Sequence, residues 1–185
     1  MEDYICILDS LGNEIETIPL LDAIENSPYA PLLRRMPPSG DVLHTNTIEL
    51  IEEGQLPEGY NGPLRENTLI LSMRAIDLVC ALDLEERSVY WAESDLWHMQ
   101  HQPTLLENGN ILVFDNQGYG EKSTVLEFSP ETGEVVWFYR GTEVNPFYSI
   151  GCGSCQRLPN GNTLIVESVP GRAFEVTPEK EIVWE

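Results

Sequence analysis

The stretch His98-Met99-Gln100-His101-Gln102-Pro103-Thr104-Leu105-Leu106-Glu107-Asn108-Gly109-Asn110-Ile111-Leu112-Val113-Phe114-Asp115-Asn116 decides the fold. Its core, Asn108-Gly109-Asn110 followed by an apolar run, returns as Asn160-Gly161-Asn162-Thr163-Leu164-Ile165-Val166, and more weakly as Glu66-Asn67-Thr68-Leu69-Ile70-Leu71. The unit ends repeat too: Val89-Tyr90-Trp91, Val135-Val136-Trp137 and Ile182-Val183-Trp184 place tryptophans at intervals of 46 and 47 residues. A period of 40 to 50 residues built from short β-branched and aromatic runs, broken by Gly, Asn, Pro and Asp, is the mark of a propeller blade. The fold expected is all-β: a partial β-propeller of four-stranded antiparallel blades.

Working outward, one blade spans 41–95, the next 96–141 and the last 142–185, all within one propeller domain. Strands are expected at Val42–Leu50, Thr68–Met73, Leu78–Leu82 and Ser88–Trp91 in the first of these. Residues 1–40 hold a partial blade and a Pro-rich insertion. Tyr4–Leu8 and Glu14–Ile18 flank the turn signal Gly12-Asn13 and read as a hairpin. Leu20–Ile24 can form a short helix, and Pro28, Pro31, Pro37 and Pro38 interrupt anything longer. About three and a half blades result, fewer than the four to eight of a closed ring. Open strand edges are a liability. Either further chain segments or self-association with a second copy is therefore expected to complete the ring.

Composition narrows function. Hydrophobic residues make up 42% of the 185, enough for a folded core. The net charge is −21, with 31 acidic against 10 basic residues. Nucleic acid is an unsuitable partner, because it needs a basic footprint. No apolar run is long enough to span a membrane. The acidic start, Met1-Glu2-Asp3-Tyr4-Ile5-Cys6, is not a signal peptide. Cys152-Gly153-Ser154-Cys155 lacks the two further ligands of a zinc site and the βαβ setting of a redox site, so it reads first as a loop or strand-start pair, with a local disulfide as the lesser alternative. No metal site and no cofactor is indicated.

Aligned on Asn110, Asn162 and Asn67, the blades can be compared within the one chain. His101 lies nine residues before Asn110, and Gly153 holds that place in the last blade. His44-Thr45-Asn46-Thr47 matches His101-Gln102-Pro103-Thr104, which makes His44 the expected counterpart of His101. Arg74, seven residues after Asn67, corresponds to Gln117 and Val169. First strands line the central channel, so two histidines at one register would converge with an arginine from the neighbouring strand. His98 reads as a surface or channel-mouth residue, and Asp115-Asn116 as the start of a turn.

These residues resemble the bacterial arylsulfate sulfotransferases, six-bladed propellers that use no nucleotide sulfate donor. Leu43-His44-Thr45-Asn46-Thr47-Ile48 is similar to that family's His-x-Asn-Ser-Ile strand. Leu69–Arg74 is similar to the following strand, which ends in the sulfuryl-binding Arg, and Gln100-His101 resembles the segment holding the nucleophile. The likeness covers nearly the whole chain but about half of a full-length member. It implies sulfuryl transfer from a phenolic sulfate ester to a phenol through a sulfohistidine. His101 would be the nucleophile, His44 the acid and base, and Arg74 and Asn46 the donors to the sulfuryl oxygens. Phe147 and Tyr148 would stack on the aryl ring, although packing between blades is the alternative for that pair. The resemblance also implies a periplasmic or secreted setting. A further catalytic His, carried by the family on an earlier blade, has no counterpart in these residues. The competing reading is a non-catalytic propeller that binds a partner across its face; a quinoprotein-like propeller would need converging Trp, Arg and acidic ligands that the sequence lacks.

Overall fold

The computed structural model describes residues 2–118, 120 and 122–185. The chain forms three successive four-stranded antiparallel sheets and a two-stranded hairpin, each sheet taking its strands in sequence order. The hairpin is β1 (Tyr4–Leu8) and β2 (Glu14–Pro19). Blade 1 follows as β3 (Thr45–Ile51), β4 (Thr68–Met73), β5 (Leu78–Asp83) and β6 (Ser88–Glu93). Blade 2 is β7 (His101–Leu105), β8 (Ile111–Asp115), β9 (Thr124–Ser129) and β10 (Glu134–Arg140). Blade 3 is β11 (Ser154–Arg157), β12 (Thr163–Glu167), β13 (Arg172–Val176) and β14 (Ile182–Trp184). The all-β partial propeller read from the repeat is what the chain forms. Among the described residues helix is confined to α1 (Leu20–Glu25) and two short 3-10 turns, Ala30–Arg35 and Arg74–Ile76. Among the described residues no helix is long and apolar enough to cross a membrane.

Alternation along each strand sends side chains to opposite faces, and this stacks the blades. In blade 1, Leu69, Leu71 and Met73 face the hairpin and α1, packing with Ile5, Ile18, Leu20 and Ile24. Ile70, Val79 and Ala81 face the other way, onto Ile111, Val113, Leu126 and Phe128 of blade 2. Leu112, Phe114 and Val125 leave the opposite face of blade 2 to meet Cys155, Ile165 and Phe174 of blade 3. The central strands of blades 1 and 2 are thus buried on both sides, while β12 alternates between buried and half-buried residues.

The repeated Asn-Gly-Asn proves to be a fastening. Asn108 and Asn110 both donate to Glu127 Oε1 on β9, at 3.0 and 2.6 Å, and Asn160 and Asn162 hold Glu175 Oε1 on β13 in the same way, at 3.1 and 2.6 Å. The glycine between them takes φ of +81° or +87°, the left-handed conformation that lets both amides turn toward one carboxylate.

Two expectations need correction. β3 begins at Thr45 rather than Val42, because His44 adopts φ of +53° and breaks the extended run. Cys152 and Cys155 stand at the start of β11, so the strand-start reading holds and only its disulfide alternative fails: both thiols are free, Cys152 exposed and Cys155 buried between blades 2 and 3.

Candidate active site

His101 opens β7, opposite Phe114 of β8. Its Nδ1 lies 2.7 Å from Oδ1 of the fully buried Asn116, the residue that follows β8. The Asn116 amide nitrogen donates to the backbone carbonyls of Ser149 and Cys152. Those two acceptors fix which end of the amide faces His101. The oxygen faces the ring, so Nδ1 carries the hydrogen and Nε2 keeps its lone pair. Ser123 braces the arrangement, its hydroxyl donating to the Asn116 carbonyl while accepting from the Ser149 amide. Burial lowers the His101 pKa, and the Arg74 guanidinium and the nearby His44 push it the same way. The hydrogen bonds with Asn116 and the Met99 carbonyl oppose them without reversing the shift.

Arg74 follows β4 and opens a 3-10 turn. Its Nη2 points at the Met99 sulfur, 3.1 Å away, and its Nε is buried without a hydrogen-bond partner. Among the described residues no carboxylate oxygen comes within 4.0 Å of it. In a chain of net charge −21, a half-buried guanidinium with no protein carboxylate beside it has the chemistry to bind an anion. Asn46 donates to the Gln100 carbonyl at 2.9 Å, which carries blade 1 to the strand that begins with His101. Gln100, fully buried, ties that strand back to blade 1 by donating to Ser72 Oγ and to the Leu78 carbonyl. The half-exposed His44 pairs through Nδ1 with Asp41 at 2.8 Å. An acceptor at Nδ1 leaves Nε2 of His44 available to exchange a proton.

The four residues singled out for chemistry therefore lie around the junction of blades 1 and 2, although the register argument for two of them fails. The His44 carbonyl accepts from the Arg74 amide, and the His98 carbonyl accepts from the Gln117 amide. By the backbone ladder the counterpart of His44 is His98, not His101. Bulges in both first strands, between Thr45 and Thr47 and between His101 and Thr104, displace side chains from the order that motif spacing implies. His98 is exposed and pairs with Asp77 at 2.8 Å.

Phe147 is a core residue. It is 2% exposed, and its ring meets Phe114, Tyr139 and Phe174, so no face remains for an aryl substrate. Tyr148 is half-buried, with its amide held by Glu167 at 2.8 Å; among the described residues no hydrogen bond or ring contact ties it to His101. Gly153 has no side chain because the Phe114 ring fills the space: a Cβ there would lie 2.3 Å from its tip. Asn116 and Met99 escaped sequence reading as site residues. Asn116 looks like a turn residue after Asp115, and Met99 carries no motif.

The chain was compared with known proteins. Among curated proteins, none matches it. A crystal structure of a protein of unknown function from Bacteroides caccae superposes with a TM-score of 0.58 at 14% identity, over 98% of this chain and 53% of that one. The chain thus spans about half the length of that neighbour, and the likeness supports the fold alone. The family model described as arylsulfotransferase (ASST) matches residues 14–185. That match takes in all three blades and every residue gathered around His101, and the chain belongs to the arylsulfotransferase family.

Proposed function

We propose that this chain carries a sulfuryl-transfer site, moving a sulfuryl group from a phenolic sulfate ester to a phenol through a sulfohistidine at His101. The observation that carries the reading is the pairing of His101, kept neutral by burial and oriented with Nε2 free by Asn116, with the carboxylate-free Arg74. Nε2 attacks sulfur, the S–N bond forms and the S–O bond to the aryl group breaks. The departing phenolate takes a proton from His44. The sulfated ring is cationic, and its Nδ1–H donates to Asn116 Oδ1. An incoming phenol then returns its proton to His44 and attacks sulfur, and the S–N bond breaks to restore His101. Arg74 and the second amide hydrogen of Asn46 stabilise charge on the sulfuryl oxygens throughout, as donors do in phosphoryl transfer.

The alternative is a non-catalytic propeller that binds a partner. It draws on the half-buried outer face of blade 3, where Leu164 and Val166 have no blade against them.

Intact mass after brief exposure to an aryl sulfate, with particle size measured in the same sample, tests the enzyme reading. A gain of one sulfuryl group that disappears on adding phenol, and is absent from His101→Ala, is the expected result. An unmodified mass in a ring-sized particle would sink it and leave the binding module.

A further inference from the structure

Arg74 and Gln117 occupy the same place in successive blades. Each follows the second strand of its blade, and each donates its backbone amide to the carbonyl of a histidine, His44 or His98. Their side chains also share a target. Arg74 Nη2 lies 3.1 Å from Met99 Sδ, and Gln117 Nε2 lies 3.4 Å from the same sulfur. The Gln117 amide is not free to swing, because its nitrogen also donates to the Ile150 carbonyl at 2.9 Å. One of its hydrogens is thereby committed, and the other is aimed at Met99.

A thioether is a weak acceptor. Here one serves two donors, one of them charged, while the Nε of Arg74 has no hydrogen-bond partner among the described residues. Two N–H groups from two blades thus point at an acceptor that offers them little, beside a buried Arg74 Nε–H. Met99 itself sits at φ of +57°, a conformation unfavourable for its type, and its side chain is half-buried. An oxyanion with several oxygens would satisfy the Arg74 and Gln117 donors together. A single carboxylate from the protein is missing there among the described residues.

We propose that Gln117 is a second donor to the sulfuryl oxygens beside Arg74, and that Met99 holds their place in the free protein and moves aside when the ligand enters. The inference rests on the sulfuryl-transfer reading of this site and adds two residues to it. Tetrahedral oxyanions of the sulfate and aryl sulfonate class are the ligands it predicts. Charge from Arg74 supplies most of the attraction, and Gln117 supplies direction, since its amide is already oriented by Ile150.

The test uses methyl-labelled methionine and inorganic sulfate, observed by NMR. The chain has four methionines, and Met99→Leu assigns the relevant methyl by its disappearance. The Met99 methyl resonance should move saturably with sulfate. Gln117→Leu should weaken sulfate binding about fivefold or more, as expected for the loss of one hydrogen bond to an anion. Gln117→Glu keeps the shape but offers Arg74 a carboxylate, and should abolish sulfate binding. Met99→Leu, followed by the Arg74 and Gln117 side-chain resonances, should bind sulfate at least as well as the unaltered protein. A Met99 methyl that sulfate does not move overturns the proposal. So does sulfate binding in both Gln117 variants at unaltered strength, or loss of binding in Met99→Leu. Sulfate binding needs no turnover. A protein that binds sulfate in this way but never forms sulfohistidine would defeat the catalytic reading and leave the cradle standing; sulfohistidine formation without any Met99 response would do the reverse.

Discussion

His101 is held by one side chain and tuned by its surroundings, and both effects have readable signs. Burial and the neighbouring Arg74 and His44 lower its pKa, so the neutral, nucleophilic ring persists below the ordinary histidine value of about 6.5. The rate of sulfation from an aryl sulfate should rise with pH through a midpoint below that value to a plateau that holds as long as His44 keeps the proton it gives to the phenolate; single-turnover rates across pH measure it. Asn116→Asp should move the midpoint up, because an anion beside Nδ1 favours imidazolium. Asn116→Ala should move it down, since the bond it removes raises the pKa, and should lower the plateau about tenfold, matching about 1.4 kcal/mol for a hydrogen bond to a developing charge. A merely structural Asn116 would change the plateau and leave the midpoint where it is. Nothing near Asn116 in sequence announces this role. Its two anchoring carbonyls belong to Ser149 and Cys152, in the loop that enters the next blade.

At the scale of the element, the Asn-Gly-Asn fastening ties the β7–β8 turn to β9. Burial pushes the Glu127 carboxyl up, but Asn110, Asn108 and Arg157 outweigh it and hold the group below its ordinary range. A carboxylate with a depressed folded pKa contributes stability that is present above its unfolded value, near 4.3, and is lost as pH falls through the folded value. Asn110→Ala should therefore cost about 1–3 kcal/mol at neutral pH and less in acid, read from urea unfolding at several pH values. Gly153→Ala should destabilise by about 1–3 kcal/mol, because its methyl group would collide with Phe114, itself packed on all sides. Thermal unfolding measures that cost, and an unchanged midpoint would show that Phe114 can move.

Across the whole molecule, identical repeat positions differ in worth because a blade counts as core only when another lies against it. Leu112 and Leu164 each stand two residues after the second asparagine of their signature. Leu112 is 0% exposed between blades 2 and 3, whereas Leu164 is half-buried on the uncovered side of blade 3. Leu112→Ala should cost about 2–5 kcal/mol and Leu164→Ala under about 1 kcal/mol. Chemical denaturation compares them. A large, concentration-dependent cost at Leu164 would show that a second copy covers that face, since a bound partner stabilises by mass action.

The sequence by itself determined the strands, their turns and the stacking of blades. Alternation and turn chemistry act between residues a few positions apart, and the 46- and 47-residue recurrence of tryptophan repeats them. It also brought His44, Asn46, Arg74 and His101 to notice. Only the tertiary structure decided how those residues meet. Two strand bulges make His98 the ladder counterpart of His44, stacking turns Phe147 inward, and carbonyls 33 and 36 residues beyond Asn116 set the amide that orients His101. Bulge position and amide orientation depend on packing and hydrogen bonds between blades, and no local pattern along the chain encodes either.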